Sequence, residues 1–426
     1  MPTNHNFTFT SYLKGKIVYP KNIKDLKKYL KLKHTIIGNL RSYGDTCIGK
    51  NSIHISLRKF SKITSINEKK KILEVQSGLL LKDLFSFVIN RNLILECLPG
   101  CKYVTIGGMI ANNIHGKLLK NNSIISKIIS MKIIRNNYQL VECSRKKNKE
   151  LFYLTVGGKG CTGPIVSVKL SLDKLPSKTI YQKLFYFHSK KNFIERLKNV
   201  KKFKFAVTWL DFTKKNFQGI ILCSDYSKIE KSIQTNKDLN LPSLLIKIIS
   251  IFSKNKLFIY LFNGAFNAKN FFFPKKFISL NDSFFPQNKI LNWNMVYKKY
   301  GFVQLHFYFK IFQLNLIDKI RENLIKNQIY SNFAVIKFHE KKAFKKFQNL
   351  SLSIDIPLNN NKDKVVNVLN NIVEKYDLHV NLSKDIILNE LNNKTYLSNK
   401  IFMKKNEKYL MKNKTSGILD RFKSAK

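Results

Sequence analysis

Glycine is scarce in this chain, 17 of 426 residues, and its placement constrains the fold more than any other feature. Twelve of the seventeen (Gly38, Gly44, Gly49, Gly78, Gly100, Gly107, Gly108, Gly116, Gly157, Gly158, Gly160 and Gly163) lie in one 126-residue window, and the other 300 residues hold five. Glycine alone reaches positive φ without strain and lets backbone approach a neighbour or a ligand closely. Because a diphosphate commonly sits directly on main-chain N–H groups, the window reads as a phosphate-cradling fold.

The glycines fall into three loops. The first is Ile37 to Asp45, after the short β-like stretch His34 to Ile37. The second runs from Leu98-Pro99-Gly100 through Thr105-Ile106-Gly107-Gly108 to Ile114-His115-Gly116-Lys117, and the third is Thr155 to Gly163. Each loop alone is equally consistent with ordinary turns. Neither GxGxxG with an acidic partner nor GxxxxGK[ST] occurs, which disfavours a Rossmann dehydrogenase and a P-loop NTPase. Between the loops, Ile23 to Leu30 and Leu80 to Ile89 have helical spacing, whereas Ile53 to Leu57, Ile72 to Gln76, Leu93 to Glu96, Ser126 to Ile134 and Pro164 to Leu170 are strand-like. The expected class is α+β.

In this order and spacing the loops resemble the FAD-binding domain of the vanillyl-alcohol-oxidase (PCMH) type, a family that includes the aldonolactone oxidases. LRSYGD (Leu40 to Asp45), YVTIGGMIANNIHGK (Tyr103 to Lys117) and FYLTVGGKGCTGPI (Phe152 to Ile165) look most like the branch that oxidises a polyprenylphosphoryl ribose. The likeness continues in Trp209-Leu210-Asp211, Trp293 through Phe307, SLSIDIP (Ser351 to Pro357) and Leu382 to Asp385, and is weakest between about 215 and 290. It implies a two-subdomain PCMH-type FAD-binding domain (residues 1–180). A substrate (cap) domain, residues 181–378, would be inserted as an antiparallel sheet with flanking helices. The 379–426 segment would return to the FAD domain.

The resemblance also implies roles. Main-chain amides around Arg41, Ser42, Tyr43 and Gly44 and around Thr105, Gly107 and Gly108 would hold the FAD diphosphate. Gly158, Gly160 and Gly163 would pass near adenosine or ribityl groups, with Gly100, Asn112 and Gly116 completing the cofactor walls. Asp45 stands where many relatives carry a histidine bonded to the flavin; aspartate cannot make that linkage, so the FAD is expected to be non-covalent. His115 would face the flavin, Lys117 would hold an anionic or hydroxyl group, and Lys384 would reach the flavin pyrimidine edge and the substrate as a fixed cation. Without the resemblance, His115 reads as a structural histidine and Lys384 as one lysine among many. Gln304 and His306 alternate with Val303, Leu305 and Phe307 and so share a strand face, which the resemblance makes a substrate wall together with Trp209 and Ser353. Ser353 stands where a cysteine is usual and His306 where a second glutamine is usual, so the cofactor is better specified than the substrate.

The expected reaction is hydride transfer from a secondary sugar hydroxyl carbon, the 2′ position of a polyprenylphosphoryl-β-D-ribose, to flavin N5. The resemblance adds a short-chain reductase partner completing an epimerisation in arabinan precursor synthesis, and a quinone-like electron acceptor. A D-arabinono-1,4-lactone oxidase-like or other sugar-alcohol oxidase is the alternative, although the HWAK-like C-terminal motif of lactone oxidases is missing.

Charge sharpens the rivals. Lys and Arg number 77 against 26 Asp and Glu, a net +51, while 44% hydrophobic content excludes a disordered chain. A basic nucleic-acid-binding protein is the distant alternative. The lysines, however, are scattered along every segment in a composition rich in Lys, Asn, Ile and Phe, as AT-rich coding produces, and no binding module accompanies them, so no nucleic-acid partner is expected. The six cysteines show no CxxC spacing, no metal set is apparent, and the start has no signal-sequence pattern. A cytoplasmic protein without a transmembrane helix is expected. The apolar, aromatic and basic stretch 241–276 is either core helix plus loop or a surface in peripheral contact with the inner face of the cytoplasmic membrane.

Overall fold

A computed structural model describes residues 5–120, 123–231, 233, 238–253, 255–331, 333–339, 350–381, 384, 404 and 406–416. Leu382, Ser383 and Asp385, and most of the expected return segment, lie outside the described residues.

The amino-terminal half alternates short strands and helices. β1 (Ile17–Val18), β2 (His34–Ile37) and β3 (Ile53–Ser56) form a parallel sheet in the order β1-β3-β2. Between β1 and β2, α1 (Ile23–Leu30) starts at Asn22, whose side chain accepts from Asp25 N–H, and buries Leu26 and Leu30 one turn apart. β4 (Ile63–Asn67), β5 (Ile72–Gln76), β7 (Ile128–Ile134), β8 (Leu140–Ser144) and β9 (Ile165–Ser171) make an antiparallel sheet in the order β4-β5-β9-β7-β8. The short β6 (Leu93–Ile94) pairs with β10 (Asp173–Lys174). The apolar faces of α2 (Leu81–Ile89), α3 (Ile106–Ala111) and α4 (Lys149–Thr155) close over this sheet around Leu73, Val75, Met109, Phe152 and Val168.

Residues 179–380 build one larger antiparallel sheet. Its strands are β11 (Thr179–Phe187), β12 (Phe205–Leu210), β13 (Gly219–Tyr226), β14 (Lys275–Ser279), β15 (Phe302–Phe309), β16 (Phe333–Phe338), β17 (Leu350–Pro357) and β18 (His379–Val380). Their order is β14-β11-β13-β12-β16-β17-β15-β18. Strand alternation assigns the faces. One face, with Leu210, Ile221, Leu305, Phe307, Ile336 and Ile354, is covered by α5 (Lys190–Val200), α9 (Asn315–Lys326) and α10 (Lys362–Lys375). The other turns Gln304, His306, Val335, Lys337, Ser353 and Asp355 towards the amino-terminal half. The two halves are stitched directly. Leu118 bridges Phe205, the Ala206 N–H donates to Lys117 O, and the Phe302 N–H donates to Thr8 O.

The observed elements reproduce the α+β alternation read from the sequence, with boundaries moved by a few residues. Two placements differ. β18 at residues 379–380 still belongs to the large sheet, and residues 409–416 lie against the amino-terminal half, where Met411 N–H donates to Cys161 O and Thr415 N–H to His34 O. The core-helix reading of 241–276 is overturned. α6 (Ser243–Phe252) has no buried residue, and α7 (Lys256–Phe272) buries only Ile259, Asn263 and Asn270. The short helix α8 (Leu280–Phe284) returns the chain to the core through Leu280 and Phe284.

Candidate functional site

The three glycine loops converge. A Cβ on Gly38 would lie 2.3 Å from Thr105 Oγ1, and Asn39 Nδ2 donates to Tyr103 O at 2.7 Å, locking the first loop against the second. Gly157 N–H and Lys159 N–H donate to Ile110 O and Ala111 O, seating the third loop on the end of α3. Lys414 Nζ closes the assembly by donating to Lys159 O at 2.9 Å.

The convergence leaves polar groups suited to an anionic, hydroxyl-rich ligand. Among the described residues no protein acceptor takes the N–H groups of Arg41, Ser42, Tyr43 or Gly44, and the loop turns at Leu40 with φ 50°. Arg41 Nε, Thr46 Oγ1, Ser77 Oγ and Asn112 Oδ1 are buried without a protein partner. The Arg41 guanidinium lies 5.2 Å from the Phe7 ring centre and 5.8 Å from that of Tyr103, so the aromatic rings fix its direction. Asp45 is buried beside this run. A dinucleotide diphosphate fits this set: consecutive free amides plus one oriented guanidinium.

The second loop departs from expectation. The N–H groups of Ile106, Gly107 and Gly108 donate to Leu79 O, Ser77 O and Thr105 Oγ1, so they are already engaged by protein. Of the amides expected to hold a diphosphate, those of Arg41–Gly44 and Thr105 have no protein acceptor among the described residues, whereas those of Gly107 and Gly108 do. Gly116, Gly158 and Gly163 lack side chains because a Cβ there would lie 2.8, 2.0 and 2.0 Å from the carbonyl oxygens of Leu98, Leu154 and Ile134. Backbone packing alone therefore requires glycine at these three positions. Gly100 faces Gln287, and Gly160 faces the Lys414 ammonium.

Above the first loop sits a buried basic cluster. Lys384 Nζ stands 3.8 Å from the Tyr43 ring centre. Asp355 and Gln304 are opposite one another on β17 and β15, and Gln304 Nε2 donates to Asp355 Oδ1 at 2.5 Å. In the next row of the same face, Val335, Ser353 and His306 are aligned across β16, β17 and β15. Asn381 N–H donates to His306 O at 2.7 Å, and Lys384 N–H to Asn381 O, so the turn carrying Lys384 hangs from His306. From the other wall, the His115 ring packs 4.6 Å from His339 and 5.7 Å from His306. His339 Nε2 pairs with Ser351 Oγ at 2.8 Å.

Electrostatics follow from crowding of like charge. Desolvation, aided by Lys337, lowers Lys384 to about 8, and Asp355 opposes that shift. Lys337 falls to about 8, again by desolvation. Lys117 falls to about 7 through desolvation and Lys337, and its ammonium donates to the Ser283 carbonyl. Burial first, then the surrounding cations, hold His115 and His306 well below the usual histidine range, so both rings are neutral at pH 7. Asp355 rises to about 6 by burial. Lys337 thus crowds both Lys384 and Lys117 while Asp355 offsets Lys384 alone, an arrangement that favours an anionic ligand. Asn381 Nδ2 donates to His306 Nδ1 at 3.4 Å, so the neutral ring carries its proton on Nε2, which is buried without a protein partner and is available as a donor.

Lys384, His115, Gln304, His306, Ser353, Tyr43 and Arg41 are therefore gathered in one cluster. Trp209 is not among them. It lies in the His306 row but beyond Val335, covered by the α7 ring of Phe266 at 4.9 Å. Lys337, His339 and Asp355 were missed; alternation along Phe333-Val335-Lys337-His339 was the available signal. The open surface cleft lined by Arg135, Asn136, Glu150 and Tyr409 shares no residue with this site. Among the described residues no His, Cys, Asp and Glu group could hold a metal ion.

Residues 16–144 match the family model of an FAD binding domain. The chain is similar to decaprenylphosphoryl-β-D-ribose oxidase of Mycolicibacterium smegmatis, 30% identical over 143 residues, 33% of this chain and 31% of that protein. It is similar to cytokinin dehydrogenase 2 of Arabidopsis thaliana, 23% identical over 193 residues, 43% of this chain and 38% of that protein. L-gulonolactone oxidase of Bos taurus is 26% identical over 158 residues, 35% of this chain and 36% of that protein. The chain spans roughly a third of the length of the curated relatives it matches.

Proposed function

On the premise that residues 16–144 are an FAD-binding domain, we propose that this protein is an FAD-dependent oxidoreductase that oxidises a secondary hydroxyl of a sugar carrying a phosphate. The 2′-OH of a polyprenylphosphoryl-β-D-ribose is the favoured substrate. The observation that carries this reading is Lys384, held over the Tyr43 ring of the first glycine loop while its turn hangs from His306. One residue thereby joins the cofactor side of the cleft to the sheet face opposite.

Bound FAD supplies the hydride acceptor at N5. The chain supplies the rest. Arg41 and the free amides of residues 41–44 hold the diphosphate, and with aspartate at position 45 the flavin is held without a covalent bond. Lys384 places positive charge where negative charge develops on reduction, in a cleft where solvent screens it poorly. Lys337 and Lys117 supply the field for a phosphate. Gln304, oriented by Asp355, Ser353 and the Nε2–H of the neutral His306 position the sugar hydroxyls, and the hydroxyl proton leaves to a nearby base or water as the C–H bond breaks. His115 packs this histidine in place.

The sequence likeness to L-gulonolactone oxidase supports the second reading, an aldonolactone or sugar-alcohol oxidase; the crowded lysines Lys384, Lys337 and Lys117 favour the phosphate-bearing substrate. A quinone-like acceptor would reoxidise the flavin, and a short-chain reductase would complete an epimerisation.

The test is anaerobic bleaching of the flavin absorbance by polyprenylphosphoryl ribose, free ribose and aldonolactones in parallel. Bleaching by the phosphate-linked sugar alone is expected. Bleaching by lactones alone would establish the second reading, and a flavin reduced by neither would end both.

A further inference from the structure

Thirteen of the twenty-four large hydrophobic side chains left exposed by the described residues lie between Leu239 and Phe273. Leu244, Ile251 and Phe272 are 69%, 72% and 74% exposed. An apolar surface so concentrated marks an interaction site rather than the normal scatter. The same stretch is basic: residues 239–276 contain six lysines and no acidic residue. Lys247, Lys256, Lys269 and Lys275 are exposed.

We propose that the α6–α7 hairpin is a docking surface for an anionic lipid bilayer, with its leucine, isoleucine and phenylalanine side chains in the acyl boundary and its lysines on the head groups. Charge decides the occupant. A second copy of a chain carrying +51 would bring lysine against lysine, whereas a bilayer of acidic phospholipids offers both the apolar phase and the opposite charge. No helix among the described residues is long and apolar enough to cross a membrane, so the hairpin lies in the interface rather than spanning it.

Its attachment gives the surface a use. At the hairpin root, Asp238 accepts from Lys102 Nζ at 2.7 Å and from Tyr103 OH at 3.0 Å, both on the second glycine loop. On α7, Asn263 Nδ2 donates to Asp211 Oδ1 at 3.0 Å, and Phe266 covers Trp209 on the sheet face that carries His306. A lipid-anchored substrate in the bilayer would therefore meet the cleft beside the hairpin. That consequence rests on the function proposed above; the docking itself does not.

The test is co-sedimentation of the FAD-loaded protein with phosphatidylglycerol–phosphatidylcholine vesicles and with pure phosphatidylcholine vesicles. Four lysines at the surface should make binding to the acidic vesicles tighter by about a hundredfold or more. The triple variant Leu244→Ser/Ile251→Ser/Phe272→Ser keeps every lysine and removes only side chains already in solvent. It should bind the acidic vesicles at least about a hundredfold more weakly while retaining its flavin. The control triple Leu32→Ser/Leu140→Ser/Phe312→Ser, exposed elsewhere, should bind like wild type. The proposal is overturned if the hairpin triple binds as tightly as wild type. It is also overturned if wild type ignores vesicles and light scattering shows a dimer that the hairpin triple dissolves. Flavin content and substrate bleaching are read separately, so a wrong substrate assignment leaves the vesicle result intact.

Discussion

Replacing Lys384 by methionine should make the protein more stable and nearly inactive at once. A fall from 10.5 to about 8 means that the folded protein holds the charged lysine less well than the unfolded chain by about 3 kcal/mol. The Tyr43 ring under the ammonium returns about 1–2 kcal/mol, and residual solvent contact trims the rest, leaving a net burden of about 1–2 kcal/mol. Methionine keeps the length and removes the charge. At pH 6, where Asp355 is close to half protonated and tolerates the loss of its partner, the Lys384→Met variant should melt a few degrees above wild type. The sign with pH is fixed. The folded value lies below the unfolded one, so the burden is complete below about pH 8, and the variant's advantage should vanish as pH rises towards 10.5. Flavin reduction by substrate should slow by about 10²–10³-fold, the usual loss when a transition-state charge partner is removed. Scanning calorimetry and stopped-flow bleaching measure the two effects. A variant that melts below wild type at pH 6, or an advantage that ignores pH, would refute the placement of Lys384 as a strained cation kept for chemistry.

Other expectations are independent of that one. In wild type, flavin reduction should fall about tenfold per pH unit above about pH 8 as Lys384 loses its proton, read from anaerobic rates across the alkaline range. Arg41→Ala should weaken FAD retention by about tenfold or more, measured by flavin fluorescence titration, because a charge-assisted contact to the diphosphate is lost. Acid precipitation should release all the flavin into the supernatant as free FAD, as expected with aspartate at position 45. Gly163→Ala should destabilise the fold by about 1–3 kcal/mol in urea, since φ there is 127° and the new methyl would press on Ile134 O.

The glycine loops and the strand alternation were legible because both are local. Positive φ and period-two spacing show in a handful of consecutive residues, and they located Arg41 to Asp45 and placed Gln304 with His306. What stayed hidden depends on register. Lys337 and Asp355 join the site because β16, β17 and β15 align Lys337 with Ser351 and Asp355 with Gln304, a pairing that no single strand contains. Trp209 shares that face yet is capped by Phe266 from a helix more than fifty residues later in the chain. Spacing likewise could not reveal that Leu79 O and Ser77 O engage the amides at Ile106 and Gly107. The sequence left the exposure of α6 and α7 open between core helix and surface, because an apolar helix reads as buried until its surroundings are known.

The most direct measurement is FAD binding by the purified chain, followed by its visible absorption and by equilibrium titration of the flavin-stripped protein. One FAD per chain, a yellow protein, and loss of binding when Arg41 is replaced are predicted. A colourless protein that binds no FAD in titration, with the first glycine loop folded as described, would contradict the account.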